Sequence, residues 1–78
     1  MTQTIYDEYN WILGYVETDS KGNKVAMDFH HRILGYYQAD LNVTTDFHHR
    51  VIARGDAATG LIYAEHEKFK AEHDGRGY

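Results

Sequence analysis

Asp28-Phe29-His30-His31-Arg32-Ile33-Leu34-Gly35-Tyr36 decides how the chain is read, because Asp46-Phe47-His48-His49-Arg50-Val51-Ile52-Ala53-Arg54 is a near-copy of it. Asp7-Glu8-Tyr9-Asn10-Trp11-Ile12-Leu13-Gly14-Tyr15 lies over both position by position, so the unit occurs three times. The steps from Asp7 to Asp28 and from Asp28 to Asp46 are 21 and 18 residues. That spacing is too short for a helix-turn-helix unit and suits one β-hairpin with a connecting turn.

The chemistry of the unit says how each hairpin turns. An Asp at the first position of a type I turn accepts backbone N–H groups, two residues follow in ordinary helical geometry, and the next turns left-handed to rejoin the ladder as a bulge. That fourth place holds Asn10, His31 and His49. Asn and His are the non-glycine types most enriched at positive φ. In this register Asp28 faces Arg32 and Asp46 faces Arg50; Trp11 stands where the first copy would need its Arg. Counting outward pairs Tyr6 with Ile12, Met27 with Ile33 and Thr45 with Val51, then Thr4 with Gly14, Val25 with Gly35 and Val43 with Ala53. The face carrying these pairs is the expected core. The small residues at 14, 35 and 53 imply that another backbone or a bulky side chain comes close there. The opposite face, with Ile5, Leu13, Ala26, Leu34, Thr44 and Ile52, is half apolar and needs a cover.

Asp19-Ser20-Lys21-Gly22-Asn23 is a further Asp-led turn, and Gln38-Ala39-Asp40-Leu41-Asn42 is expected to turn at Asp40 with Asn42 left-handed. Connections this short make a meander without crossover helices. After Arg54 the repeat breaks: Gly55 ends the strand, Asp56 suits an N-cap, and 57–73 has helix-forming composition with Gly75 as a stop. Ala58, Leu61, Ile62 and Phe69 form its apolar stripe. Leu61-Ile62-Tyr63-Ala64 also reads as a seventh strand, but no Asp-led turn follows it, which favours the helix. The fold class is therefore mainly β (α+β): one domain over 1–78, an antiparallel meander of three hairpins over about 4–17, 24–37 and 42–54, and a C-terminal α-helix.

Seventy-eight residues lie near the lower limit for a self-sufficient core. With no cysteine, the chain has neither disulfides nor a thiolate metal site. The start Met1-Thr2-Gln3-Thr4 has no basic or apolar run and no stretch is long enough to span a membrane, so a cytoplasmic location is expected. A formal charge of −4 argues against general nucleic-acid binding. The six histidines allow the chain to gain positive charge in mild acid.

A run of Asp-led hairpins reading Tyr6-Asp7-Glu8-Tyr9-Asn10, Asp28-Phe29-His30-His31-Arg32 and Ile33-Leu34-Gly35-Tyr36 resembles the bacterial four-fold β-flower family, whose hairpins repeat like petals about a pseudo-symmetry axis. The resemblance covers Tyr6 to Gly55 and implies a fold, with no activity attached. It departs from that pattern where His occupies the turn position suited to Gly or Asn, and where a helix replaces the fourth petal.

Three hairpin tips at one rim would bring Tyr9, His30 and His48 to equivalent places beside Arg32 and Arg50. These five are the candidate binding residues. His30 and His48, with Asp28 or Asp46 behind them, are the candidate ligands for a metal such as zinc. No activated nucleophile or Gly-rich phosphate loop is visible, so no catalytic residue is assigned. The expected function is a non-enzymatic binding or assembly module, a homo-oligomer that engages a protein or a small anionic ligand; a His-based metal-binding protein or metal-dependent hydrolase is the alternative. Leu61, Ile62 and Phe69 are the expected oligomer contacts, on the argument that so short a chain needs a partner to complete its burial.

Overall fold

The computed structural model describes residues 1–74, with side chains through residue 68. Six strands run in chain order: β1 (Thr2–Tyr6), β2 (Ile12–Thr18), β3 (Lys24–Asp28), β4 (Ile33–Gln38), β5 (Val43–Asp46) and β6 (Val51–Arg54). They form one antiparallel sheet in the order β1-β2-β3-β4-β5-β6, and α1 (Ala58–Asp74) follows. This is the meander with a C-terminal helix that the repeats predict. Leu61-Ile62-Tyr63-Ala64, which also reads as a strand, lies in the helix, the reading that the missing Asp-led turn favours.

The turns follow the Asp-led chemistry. Asn10, His31 and His49 sit at φ of 66°, 67° and 66°, and Asn42 at 52°. At each tip one Asp oxygen accepts two backbone N–H groups: Asp28 Oδ1 takes those of His30 and Arg32 at 2.9 Å each, and Asp7 and Asp46 do the same in their copies.

The pairing nearest each turn is as expected, with Tyr6 opposite Ile12, Met27 opposite Ile33 and Thr45 opposite Val51. One residue further the register shifts. Leu13, Leu34 and Ile52 are passed over, so Gly14 pairs with Ile5, Gly35 with Ala26 and Ala53 with Thr44. This corrects the expected outer pairs and exchanges the two faces. The core face carries Ile5, Leu13, Val16 and Ala26, all buried, while Tyr6, Ile12, Ile33 and Val51 lie exposed on the other side. The physical reason is the extra residue in each outgoing strand: an insertion of one inverts the face of everything beyond it.

Helix α1 lies across β2, β3 and β4 on the core face. Ala58 and Ile62 are fully buried there, and Leu61 packs against the same cluster. A methyl group added to Gly14 would stand 2.2 Å from the Met27 carbonyl and 3.0 Å from Ile62; one added to Gly35 would meet the Thr45 carbonyl at 2.2 Å and Leu61 at 2.6 Å. The small residues are thus required by both the next hairpin and the helix. Ala53 holds the same place in β6, which has no further strand beside it.

The helix start is fixed from both sides. Asp56 Oδ1 accepts the Ala58 N–H at 3.1 Å as an N-cap, and its Oδ2 meets Lys24 Nζ of β3 at 2.5 Å. Thr44, fully buried in β5, donates to the Gly55 carbonyl at 2.7 Å and accepts the Ala57 N–H at 2.8 Å. These bonds orient α1 back over the sheet toward the hairpin tips. Among the described residues no helix is long and apolar enough to cross a membrane.

Candidate functional site

The three tips do lie at one end of the meander, and each predicted site residue can now be placed. Tyr9 is exposed at the first tip. His30 rests on its own neighbour Phe29, with ring centroids 4.0 Å apart, and His48 rests likewise on Phe47 at 3.9 Å. Arg32 Nε donates to Asp28 Oδ2 at 2.8 Å and Arg50 Nε to Asp46 Oδ2 at 3.0 Å. The rim residues are therefore engaged within their own turns. Among the described residues no three His, Cys, Asp or Glu side chains gather so as to hold a metal ion.

The two other histidines join neighbouring hairpins. His31 stacks on Tyr15 of β2 at 4.4 Å and 11° between planes, and His49 stacks on Tyr36 of β4 at 4.5 Å and 8°. Each left-handed turn residue thus caps the outgoing strand of the hairpin before it. The first copy has no predecessor and carries Asn10; the third has no successor and carries Arg54 in the Tyr place. The turn role read from sequence holds for both histidines, and the stack was not legible because it depends on which hairpin lies beside which.

Expected contacts to a second copy fall differently. Ile62 is 1% exposed, so it presents no side chain to a partner; Leu61 packs beside it on the chain's own sheet and stays partly accessible. The reason is that the side with Ile5, Leu13 and Ala26, expected to need a cover, receives it from the chain's own α1. The side chain of Phe69 lies outside the described residues.

Between the first two tips and α1 opens a cleft of about 670 Å³. Its apolar walls include Trp11, Ile12, Leu13, Phe29 and Ile62, and its charged or titratable groups include Asp7, Asp28, Arg32, Glu65 and His66. One repeat further along, a second depression of about 590 Å³ has Arg32, Leu34, Asp46 and Phe47 in the corresponding places, with Leu61 and Lys68 from the helix. The two differ where the repeat itself differs: Trp11 in the first is Arg32 in the second.

The turn carboxylates are correspondingly unequal. For Asp28 burial works to raise the pKa, but the Arg32 N–H, the Arg32 guanidinium and the His30 N–H outweigh it and hold the group below the usual aspartate value. Asp46 is likewise lowered, chiefly by the Arg50 N–H, against a smaller effect of burial. Asp7 accepts the N–H groups of Tyr9 and Trp11 at 2.8 and 2.9 Å through Oδ1 alone; among the described residues nothing donates to its Oδ2. Sequence reasoning missed Asp7, Glu65 and His66 as cleft residues. The signal available was the missing Arg of the first copy, which says that a carboxylate is left over but not that the helix walls a cleft beside it.

No protein-family model matches the chain, and neither the curated proteins nor the solved structures contain a significant match to it.

Proposed function

We propose that the chain is a non-enzymatic assembly module that works as a homo-oligomer through the sheet face left open by α1, with the hairpin tips free to meet a protein partner. The observation that carries this reading is the apolar character of that face. Tyr6, Ile12, Ile33 and Val51 are 50%, 43%, 43% and 62% exposed; Ile12, Ile33 and Val51 stand at equivalent places along the tip end of the sheet, and Tyr6 lies opposite Ile12. Exposed apolar side chains gathered on one face mark an interface. The occupant is a second copy, because a sheet face stacked on its own image about a two-fold axis adds the burial that so short a chain lacks. The edges are poorly suited to it: β6 carries Ala53 and Arg54 where an internal junction has Gly and Tyr, and β1 leads to Asn10 in place of His.

An anionic ligand is less favoured than a protein, since the guanidinium groups of Arg32 and Arg50 already face carboxylates. Nothing in the geometry supports the His-based hydrolase over this reading. Light scattering at micromolar concentration is the test. A dimer is expected, and Ile33→Lys with Val51→Lys should yield a folded monomer, because both side chains are exposed in the single chain. A stable monomer from the unmodified sequence would defeat the association reading.

A further inference from the structure

At the cleft between the first two hairpin tips the repeat is broken. In the second and third copies the second oxygen of the turn Asp is met by an Arg four residues on. In the first copy that Arg is Trp11, 72% exposed, and Asp7 Oδ2 is left without a donor among the described residues. The same exchange turns the cleft wall from a guanidinium into an indole, faced by the half-exposed Phe29 and floored by Leu13 and Ile62.

We propose that this cleft binds a guanidinium group, which replaces in trans the arginine that the first copy lacks. The cation would take the vacant side of Asp7 and lie against the indole of Trp11. Trp is the strongest of the aromatic rings for a cation and a planar guanidinium stacks on it. A carboxylate and a guanidinium form the stronger kind of hydrogen bond, in which both partners are charged. Glu65 of α1, with no hydrogen-bond partner among the described residues, borders the cleft on its far side. The remaining charges agree with a cation. Asp28 and Arg32 are committed to each other, and His66 is the one other basic group on the lining. The second depression provides the internal control: Glu65 borders it as well, but there Arg32 takes the place of Trp11, and Asp28, the counterpart of Asp7, is already paired with that Arg.

The ligand can be a small guanidinium compound or an Arg side chain of a partner; the recognition is the same. Ile12 of the proposed interface also borders the cleft, so the affinity is read both below and above the concentration at which copies associate. The test uses the whole chain, N-acetyl-arginine amide as probe, and N-acetyl-citrulline amide as its uncharged isostere. Binding is read by two-dimensional amide NMR and by the emission of Trp11, the single tryptophan. The arginine compound should shift the signals of Asp7, Trp11, Phe29 and Glu65 saturably, and the citrulline compound should not. Asp7→Asn keeps Oδ1 as the turn acceptor and should weaken binding by about tenfold. Trp11→Arg restores the internal pair and should abolish binding while the fold, followed by the same spectra, persists. An Arg-bearing dipeptide binding much more tightly than the amide would identify a protein side chain as the source; equal affinity would identify a small molecule. Equal response to citrulline, an unchanged affinity in Asp7→Asn, or binding of inorganic phosphate in place of arginine would overturn the proposal.

Discussion

His31 and His49 satisfy two demands at once: a left-handed backbone at the tip and a ring placed on the tyrosine of the preceding hairpin. The first demand was legible in the Asp-x-x-His spacing; the second was not, since no local pattern says where Tyr15 will lie relative to His31. The two effects separate by substitution. His31→Asn keeps a residue tolerant of positive φ and removes the stack, and should cost about 0.5–1.5 kcal/mol in urea denaturation. His31→Val also brings a β-branched residue to positive φ and should cost about 1–2 kcal/mol more. His31→Gly relieves the φ strain but loses the ring, so the two contributions oppose each other. Should Val be tolerated as well as Asn, the backbone demand is absent; should Asn match the unaltered chain, the stack contributes nothing.

The turn carboxylates make an acid-labile feature at the same scale. Asp28 and Asp46 have depressed pKa values in the folded chain, so the stability they contribute is present above the ordinary aspartate value. It is lost as the pH falls below about 4 and through their folded values. The melting temperature should therefore drop on acidification through that range. The Asp28→Asn, Asp46→Asn double variant, which keeps the amide acceptors, should drop less steeply between the same two pH values. An identical slope would show that other groups control the acid transition.

At the scale of elements, the strands and turns were legible because each turn is written in four or five residues, whereas the assignment of faces was not. Leu13, Leu34 and Ile52 look like ordinary members of an alternating strand. Nothing in their chemistry marks the residue at which the register slips, and a slip of one reverses every side chain beyond it. The helix was legible from the Asp56 cap and the Ala58, Leu61 and Ile62 spacing, but its direction rests on Thr44, a buried residue that holds the 55–57 connection from β5, across the last hairpin. Ile62 is the point where helix and sheet meet. Ile62→Ala should cost about 2–5 kcal/mol by leaving a void against Gly14, with a lowered denaturation midpoint as the readout. A loss below about 0.5 kcal/mol would mean that α1 is not docked as described.

At the scale of the whole molecule, the sheet is covered on one side and bare on the other, and both the proposed interface and the cleft follow from that asymmetry. The need for a cover over Ile5, Leu13 and Ala26 was legible from the balance of apolar residues; that this covered side is the core, and the side of Tyr6 and Ile12 the bare one, was hidden by the register shift. The cleft is a consequence of the helix crossing the sheet toward the first two tips, which no sequence window contains. Ala53 carries a different consequence. In each internal junction the carbonyl of the incoming strand occupies the space that a methyl group would fill. With its methyl in that space, the third hairpin cannot receive a fourth in the same register. The chain therefore carries its own terminator: three hairpins in this register, unless Ala53→Gly and Arg54→Tyr first make the last hairpin an internal one, in which case the length of the sheet would be set by how many copies the gene encodes rather than by one side chain.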